Sequence, residues 1–195
     1  MDKILFINAC VRPNSRTKEL AEVLLNSLNG NMQEVCLQEL SLPFLDLKAM
    51  EKRNKATNDK DFSDSIFDLA KQFAEADVIV IAAPYWDLMF PAALKAYLEN
   101  ITVTGITFFY NDRGVPQSLC KAKNLYYVTT SGGFIEQNDF GFSYIKTLAQ
   151  NFFGITRIER YAAEGLDIFG ADVEKIMYDA KNKITYESYV HTIKE

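Results

Sequence analysis

Residues Asp77 to Asn100 read DVIVIAAPYWDLMFPAALKAYLEN, and this stretch decides the fold. An apolar run, Val78 to Ala83, stops at Pro84; a polar-aromatic loop, Tyr85-Trp86-Asp87, then leads to a helix opening at Pro91. An uninterrupted apolar run of strand length belongs to a strand covered on both faces, as in a parallel sheet. Ligands of open parallel sheets bind just beyond the carboxyl ends of the strands. The chain's only tryptophan stands at such an end, so this loop is expected to form the rim of a ligand site.

Outward from this stretch, strand and helix patterns alternate. Lys3 to Asn8 (KILFIN) predicts a first strand, and Ser15 to Leu28 a helix with Leu20, Val23, Leu24 and Leu28 on one face, ended by Asn29-Gly30. Met32 to Leu37 is a shorter strand, and Phe62 to Ala76 reads as a helix with Phe62, Ile66, Leu69 and Phe73 aligned. Asn124 to Thr130 (NLYYVTT) is the fourth strand, Phe140 to Phe153 a helix closed by Gly154, Thr156 to Ala163 the fifth strand, and Ala171 to Tyr189 the last helix. Two segments interrupt the alternation: a charged connection, Ser41 to Asp61, and a hairpin-like excursion from Ile106 to Val115. Strands separated by helices imply right-handed crossovers and a parallel sheet between helix layers. The expectation is one α/β domain over residues 1–195, with a five-stranded doubly wound sheet of order 2-1-3-4-5.

With 195 residues, 48% of them hydrophobic and 24% charged, the chain has the composition of a globular domain with a sizeable core. A net charge of -5 and the absence of a basic stripe argue against nucleic acid as a partner. Cys10, Cys36 and Cys120 are widely spaced, and no leader or membrane-length apolar run is read, so a reduced, cytoplasmic setting without a membrane is expected. No metal-ligand pattern is read. The one histidine, His191, lies in the final helix and reads as a surface residue.

Three unusual loops follow strands one, three and four, whose ends lie side by side in a 2-1-3-4-5 sheet. The first, Ala9 to Thr17 (ACVRPNSRT), crowds Arg12, Ser15, Arg16 and Thr17 at a helix N-terminus. Free backbone N–H groups and the helix dipole favour an anion there; alternatively Asn14 or Ser15 is simply an N-cap and the arginines are solvated. The second, Pro84-Tyr85-Trp86-Asp87-Leu88, offers aromatic walls and backbone amides to a heterocycle. The third, Thr130-Ser131-Gly132-Gly133-Phe134, places two glycines after a buried strand, which permit positive φ and close backbone approach to a planar ligand; a plain tight turn is the alternative.

With these loops placed, the chain resembles the flavodoxin-like NAD(P)H:quinone oxidoreductases, most of all the FMN-dependent NADH azoreductases. The likeness runs over nearly the whole length and includes Gly105-Ile-Thr-Phe-Phe-Tyr110, Gly154-Ile-Thr156 and Ala163-Glu-Gly165. It implies a three-layer flavodoxin-like fold and FMN as cofactor, with Cys10, Arg12, Ser15, Arg16 and Thr17 at the phosphate. Pro84, Tyr85, Trp86, Asp87 and Leu88 would lie at the isoalloxazine ring, and Thr130, Ser131, Gly132 and Gly133 at its pyrimidine side. It further implies Tyr110, Phe134 and Phe152 around the substrate, NADH or NADPH as donor, small aromatic electron acceptors as substrates, ping-pong turnover and a homodimer. Ala9 and Cys10 stand where relatives often have serines, Trp86-Asp87 where azoreductases more often have Tyr-Asn, and Ser131 where arginine is frequent. A flavin carries the hydride chemistry itself, so the lack of an acid–base constellation is no obstacle.

Three alternatives stay open at the level of sequence. Cys10 to Arg16 spells C-x5-R after a first strand, as in low-molecular-weight tyrosine phosphatases, in which a thiolate attacks phosphorus. Against that reading, Pro13 removes a loop N–H and no Asp-Pro pair supplies a general acid. A flavodoxin-type electron carrier would be more acidic, and a flavin-free interaction module would be colourless.

Overall fold

A computed structural model describes residues 1–135 and 139–194, with side chains described through Glu187. His191, read as a surface residue, therefore has its side chain outside the described residues. A parallel sheet of five strands forms the centre: β1 (Asp2–Asn8), β2 (Gly30–Cys36), β3 (Val78–Ala82), β6 (Asn124–Thr130) and β7 (Arg157–Ala163), in the order β2-β1-β3-β6-β7. A separate antiparallel pair, β4 (Phe108–Tyr110) and β5 (Pro116–Ser118), makes the excursion before β6. Because β4 and β5 lie outside the main sheet, this order is the expected 2-1-3-4-5 pattern.

Alternation along the central strands explains the layers. Leu5 and Ile7 of β1, with Ile79 and Ile81 of β3, pack into one core with α3 (Asp68–Glu75), α4 (Ala92–Ile101) and α5 (Phe140–Asn151). Ile4 and Phe6, with Val78 and Val80, face the opposite core under α1 (Arg16–Ser27) and α6 (Val173–Lys194). Side chains of period two on both faces demand this continuous apolar run.

Three sequence expectations need correction. The charged connection Ser41 to Asp61 contains a helix, α2 (Leu47–Asp59), opened by Asp46 accepting the Ala49 N–H and closed by Lys60 at φ 54°. It buries no residue, so it carries no apolar stripe; instead Arg53 donates to the Glu99 and Thr102 carbonyls at the end of α4. The helix expected from Phe62 is interrupted by a 3-10 turn, Ser65–Phe67, and α3 starts only at Asp68. Phe62 lies before it, edge-on to Phe67 at 5.3 Å, and Ile66 is exposed. Finally, α1 ends at an extended Leu28, and Gly30 opens β2 rather than capping a helix. A Cβ on Gly30 would lie 2.5 Å from the Asp2 carbonyl oxygen, so close strand approach is what requires glycine there.

Candidate active site

The hydrogen-bond ladder of the sheet does not stop at the strand ends. Ala9 N–H reaches the Ala82 carbonyl (2.9 Å), Ala83 N–H the Val128 carbonyl (3.0 Å), Tyr85 N–H the Thr130 carbonyl (3.0 Å) and Ser131 N–H the Ala163 carbonyl (3.0 Å). Each rung ties the loop leaving one strand to its neighbour, and so the loops after β1, β3, β6 and β7 are drawn along one edge. They enclose a cleft of about 420 Å³ lined by Arg12, Ser15, Arg16, Thr17, Pro84, Tyr85, Trp86, Thr130, Ser131 and Gly132, among others.

At one end of the cleft, α1 begins. Ser15 is its N-cap, its Oγ accepting the Lys18 N–H at 3.3 Å. Arg12 and Arg16 add positive charge to the N–H groups of the first turn. Thr17 is buried, and its hydroxyl is shared with that of Thr130 across 2.6 Å. It therefore bolts the first loop to the third.

The aromatic loop is a tight reversal in which Trp86 and Met89 exchange backbone hydrogen bonds at 2.9 and 2.8 Å. The two residues between them, Asp87 and Leu88, have φ of 49° and 66°. This is the pattern of a primed two-residue turn, normally filled by asparagine and glycine. The turn projects past the cleft, and neither Asp87 nor Leu88 lines it. Trp86 is 39% exposed, an aromatic surface available to a flat ligand.

The glycine loop does not use the positive φ that its two glycines permit. Neither Gly132 nor Gly133 has positive φ. What Gly132 needs is room, because a Cβ there would lie 2.6 Å from Asp167 Oδ2. The positive φ falls at Gly165 (78°), on the facing loop after β7. Ser131 is buried, with its N–H on the Ala163 carbonyl and its hydroxyl on the Gly133 carbonyl at 2.6 Å. The Ser131 amide is thus already spent on the sheet. Those of Gly132 and Gly133 find no acceptor among the described residues.

Cys10 sits beneath the cleft rather than in it: it is 6% exposed, its N–H goes to Asn8 Oδ1, and its thiol donates to the Ala82 carbonyl at 3.8 Å. Burial, as the largest effect, pushes its pKa up. A buried thiol beneath the cleft is not placed to attack a phosphate in it, which counts against the C-x5-R reading. Gly133 also lies off the cleft lining. Tyr110, Phe134 and Phe152 lie outside it as well. Tyr110 and Phe152 flank Phe108 edge-on, with ring centroids at 5.3 and 4.9 Å. Phe134, 67% exposed, stands over Gly165.

Four lining residues were not among the site residues expected from the sequence: Val11, Asn14, Leu166 and Asp167. The last two belong to the loop after β7, whose carboxyl end must lie on the same edge in any parallel sheet. A further set supports the loop after β6. Arg160 Nε meets Asp139 Oδ2 at 2.6 Å and its guanidinium meets Glu164 Oε1 at 2.7 Å. Glu164 Oε2 takes the Ile135 N–H and Asp139 Oδ1 takes the Phe142 N–H, both at 2.9 Å. These carboxylates, after desolvation, help to raise the Tyr85 phenol pKa.

A family model described as having a flavodoxin-like fold matches residues 2–186. The FMN-dependent NADH:quinone oxidoreductase 2 of Clostridium acetobutylicum is 36% identical, over 94% of this chain and 96% of its own length. The FMN-dependent NADH:quinone oxidoreductase of Coprothermobacter proteolyticus is 37% identical, over 92% and 94%. The chain belongs to the flavodoxin-like quinone oxidoreductase family. Among solved structures, an azoreductase from Bacillus anthracis str. Sterne superimposes with a TM-score of 0.84 at 25% identity, covering 96% of this chain and 99% of the other.

The residues present suit the FMN that these quinone oxidoreductase relatives carry in their names. Cations, a serine and a helix N-terminus gather at one end, aromatic side chains stand on one wall, and Gly132 lines the cleft with backbone alone. Among the described residues, no helix is long and apolar enough to cross a membrane.

Proposed function

We propose that this protein is an FMN-dependent NADH:quinone oxidoreductase that also reduces azo compounds and related aromatic acceptors. One observation carries the reading: an anion-attracting helix start and an aromatic wall of half-buried Tyr85 and exposed Trp86 share a single cleft at the switch point of the sheet. The names of its relatives, which span nearly the same length, point the same way.

In this reading Arg12, Arg16 and the first turn of α1 hold the phosphate, and Ser15 fixes that turn by capping it. Pro84, Tyr85 and Trp86 would wall the ring, and the Gly132 N–H, which finds no acceptor among the described residues, would stabilise negative charge on it. Bound there, FMN supplies hydride chemistry between NADH and the acceptor in alternating half-reactions. The protein's part is binding, orientation and exclusion of water.

The reading extends to a homodimer in the cytoplasm, with Tyr110, Phe134 and Phe152 at the acceptor. Their separation from the cleft within one chain, together with the exposure of Phe109, Tyr110, Phe134 and Phe169, is consistent with a second copy completing the pocket.

An absorption spectrum of the purified protein and stopped-flow mixing with NADH test the proposal. Flavin bands that bleach with NADH and return on adding a quinone are expected. A flavin that ignores NADH indicates an electron carrier, and a colourless protein that cannot be reconstituted indicates an interaction module.

A further inference from the structure

Arg16 and Asp167 are 151 positions apart in the chain, yet Arg16 NH1 lies 3.3 Å from Asp167 Oδ1, and both residues line the cleft. The pair is exposed, with side chains 45% and 75% accessible. Exposed ion pairs of this kind add little to folding. Its placement, by contrast, is firmly built. Three backbone bonds join the loop after β7 to the loop after β6: Gly165 N–H to the Gly133 carbonyl at 3.1 Å, Leu166 N–H to the Ser131 carbonyl at 3.1 Å, and Asp167 N–H to the Gly132 carbonyl at 2.9 Å. Gly165, at φ 78°, makes the turn possible. The Asp167 carboxylate also overhangs Gly132, where a Cβ would meet its Oδ2 at 2.6 Å.

The result is electrostatically odd. Arg12, Arg16 and the start of α1 make one end of the cleft attractive to an anion, and Asp167 sets a carboxylate against it. A ligand phosphate must take Arg16 from Asp167 and then lie near a like charge. Both effects weaken the grip on the phosphate.

We propose that Asp167 is a specificity-determining residue that limits how tightly the cleft holds the phosphate of FMN, by competing with it for Arg16. The proposal rests on the cleft being an FMN site. Asp167→Asn keeps the shape of the side chain and removes its charge.

The test is a fluorescence titration of the full-length chain with FMN and, separately, with riboflavin, which has the same ring and ribityl chain but no phosphate. Asp167→Asn is expected to bind FMN roughly threefold to fivefold more tightly at low ionic strength, the size of an exposed charge pair. The gain should shrink as salt rises past about 0.15 M. Riboflavin affinity should stay the same. In an Arg16→Gln background the gain from Asp167→Asn should fall, because the two changes act on one interaction.

Unchanged FMN affinity in Asp167→Asn overturns the proposal. So does a parallel loss of FMN and riboflavin, which would mean that the carboxylate holds the ribityl chain or the loop. Wild-type protein that binds neither flavin would instead sink the FMN reading itself.

Discussion

The hydroxyl oxygens of Thr17 and Thr130 lie 2.6 Å apart, where the first turn of α1 meets the end of β6. Both residues are buried, so each hydroxyl depends on the other for a partner. This bond fixes the distance between the two loops that the proposed phosphate and ring share.

Replacing one hydroxyl strands the other. Thr17→Val is expected to cost about 1–2 kcal/mol of stability, and Thr17→Val with Thr130→Val together less than the sum of the two single changes. Urea unfolding of the three variants measures this coupling; strict additivity would show that the bond contributes nothing.

Leu88 holds φ at 66° while 53% exposed, a conformation that costs a leucine about 1–2 kcal/mol and asparagine or glycine much less. Changing Asp87-Leu88 to Asn-Gly should raise stability by about 1 kcal/mol once the extra freedom of glycine in the unfolded chain is subtracted. A melting temperature that falls would mean that Leu88 makes contacts worth more than the strain.

Gly132 and Gly133 are adjacent but not equivalent. Valine at 132 adds bulk at the cleft wall and drives into Asp167, whereas a Cβ at 133 meets nothing within 4 Å. Gly132→Val is expected to lose bound FMN and Gly133→Ala to retain it, as read from flavin absorbance per chain. Equal loading of both would place the ring elsewhere.

Alkaline pH should destabilise the fold through its buried acids. Burial pushes the Cys120 thiol from an ordinary value of 9.0 up to about 12, and it also raises Cys10, Tyr97 and Tyr127. Above about pH 9 the unfolded chain releases protons that the folded chain keeps, so stability falls as pH rises from there towards 12. The limiting slope is about 1.4 kcal/mol per pH unit for each such group. Chemical unfolding at pH 8, 9 and 10 should show the decline, and a flat profile would count against the buried thiol and phenols as its source.

The parts of the molecule that were legible share one property: an apolar pattern long enough to have a period. β1, β3 and β6 are covered on both faces and read directly as strands. α2 buries nothing, and is held by Arg53 reaching carbonyls 46 and 49 residues away, so no local pattern announces it. The break before α3 was hidden because Phe62 keeps helical spacing although it packs on Phe67 from outside the helix.

A parallel sheet between helix layers, and with it the meeting of the strand-end loops along one edge, was determined by the sequence alone, because covered strands alternating with helices demand right-handed crossovers. Those crossovers admit more than one strand order, and the order β2-β1-β3-β6-β7 is a property of the tertiary structure. Tertiary structure alone decided what each residue does at that meeting. Cys10 went under the cleft, the Ser131 amide was consumed by Ala163, and Asp167 arrived opposite Arg16 from the far end of the chain. Such assignments depend on which partner lies within about 3 Å, a distance set by packing between elements that sequence spacing does not encode.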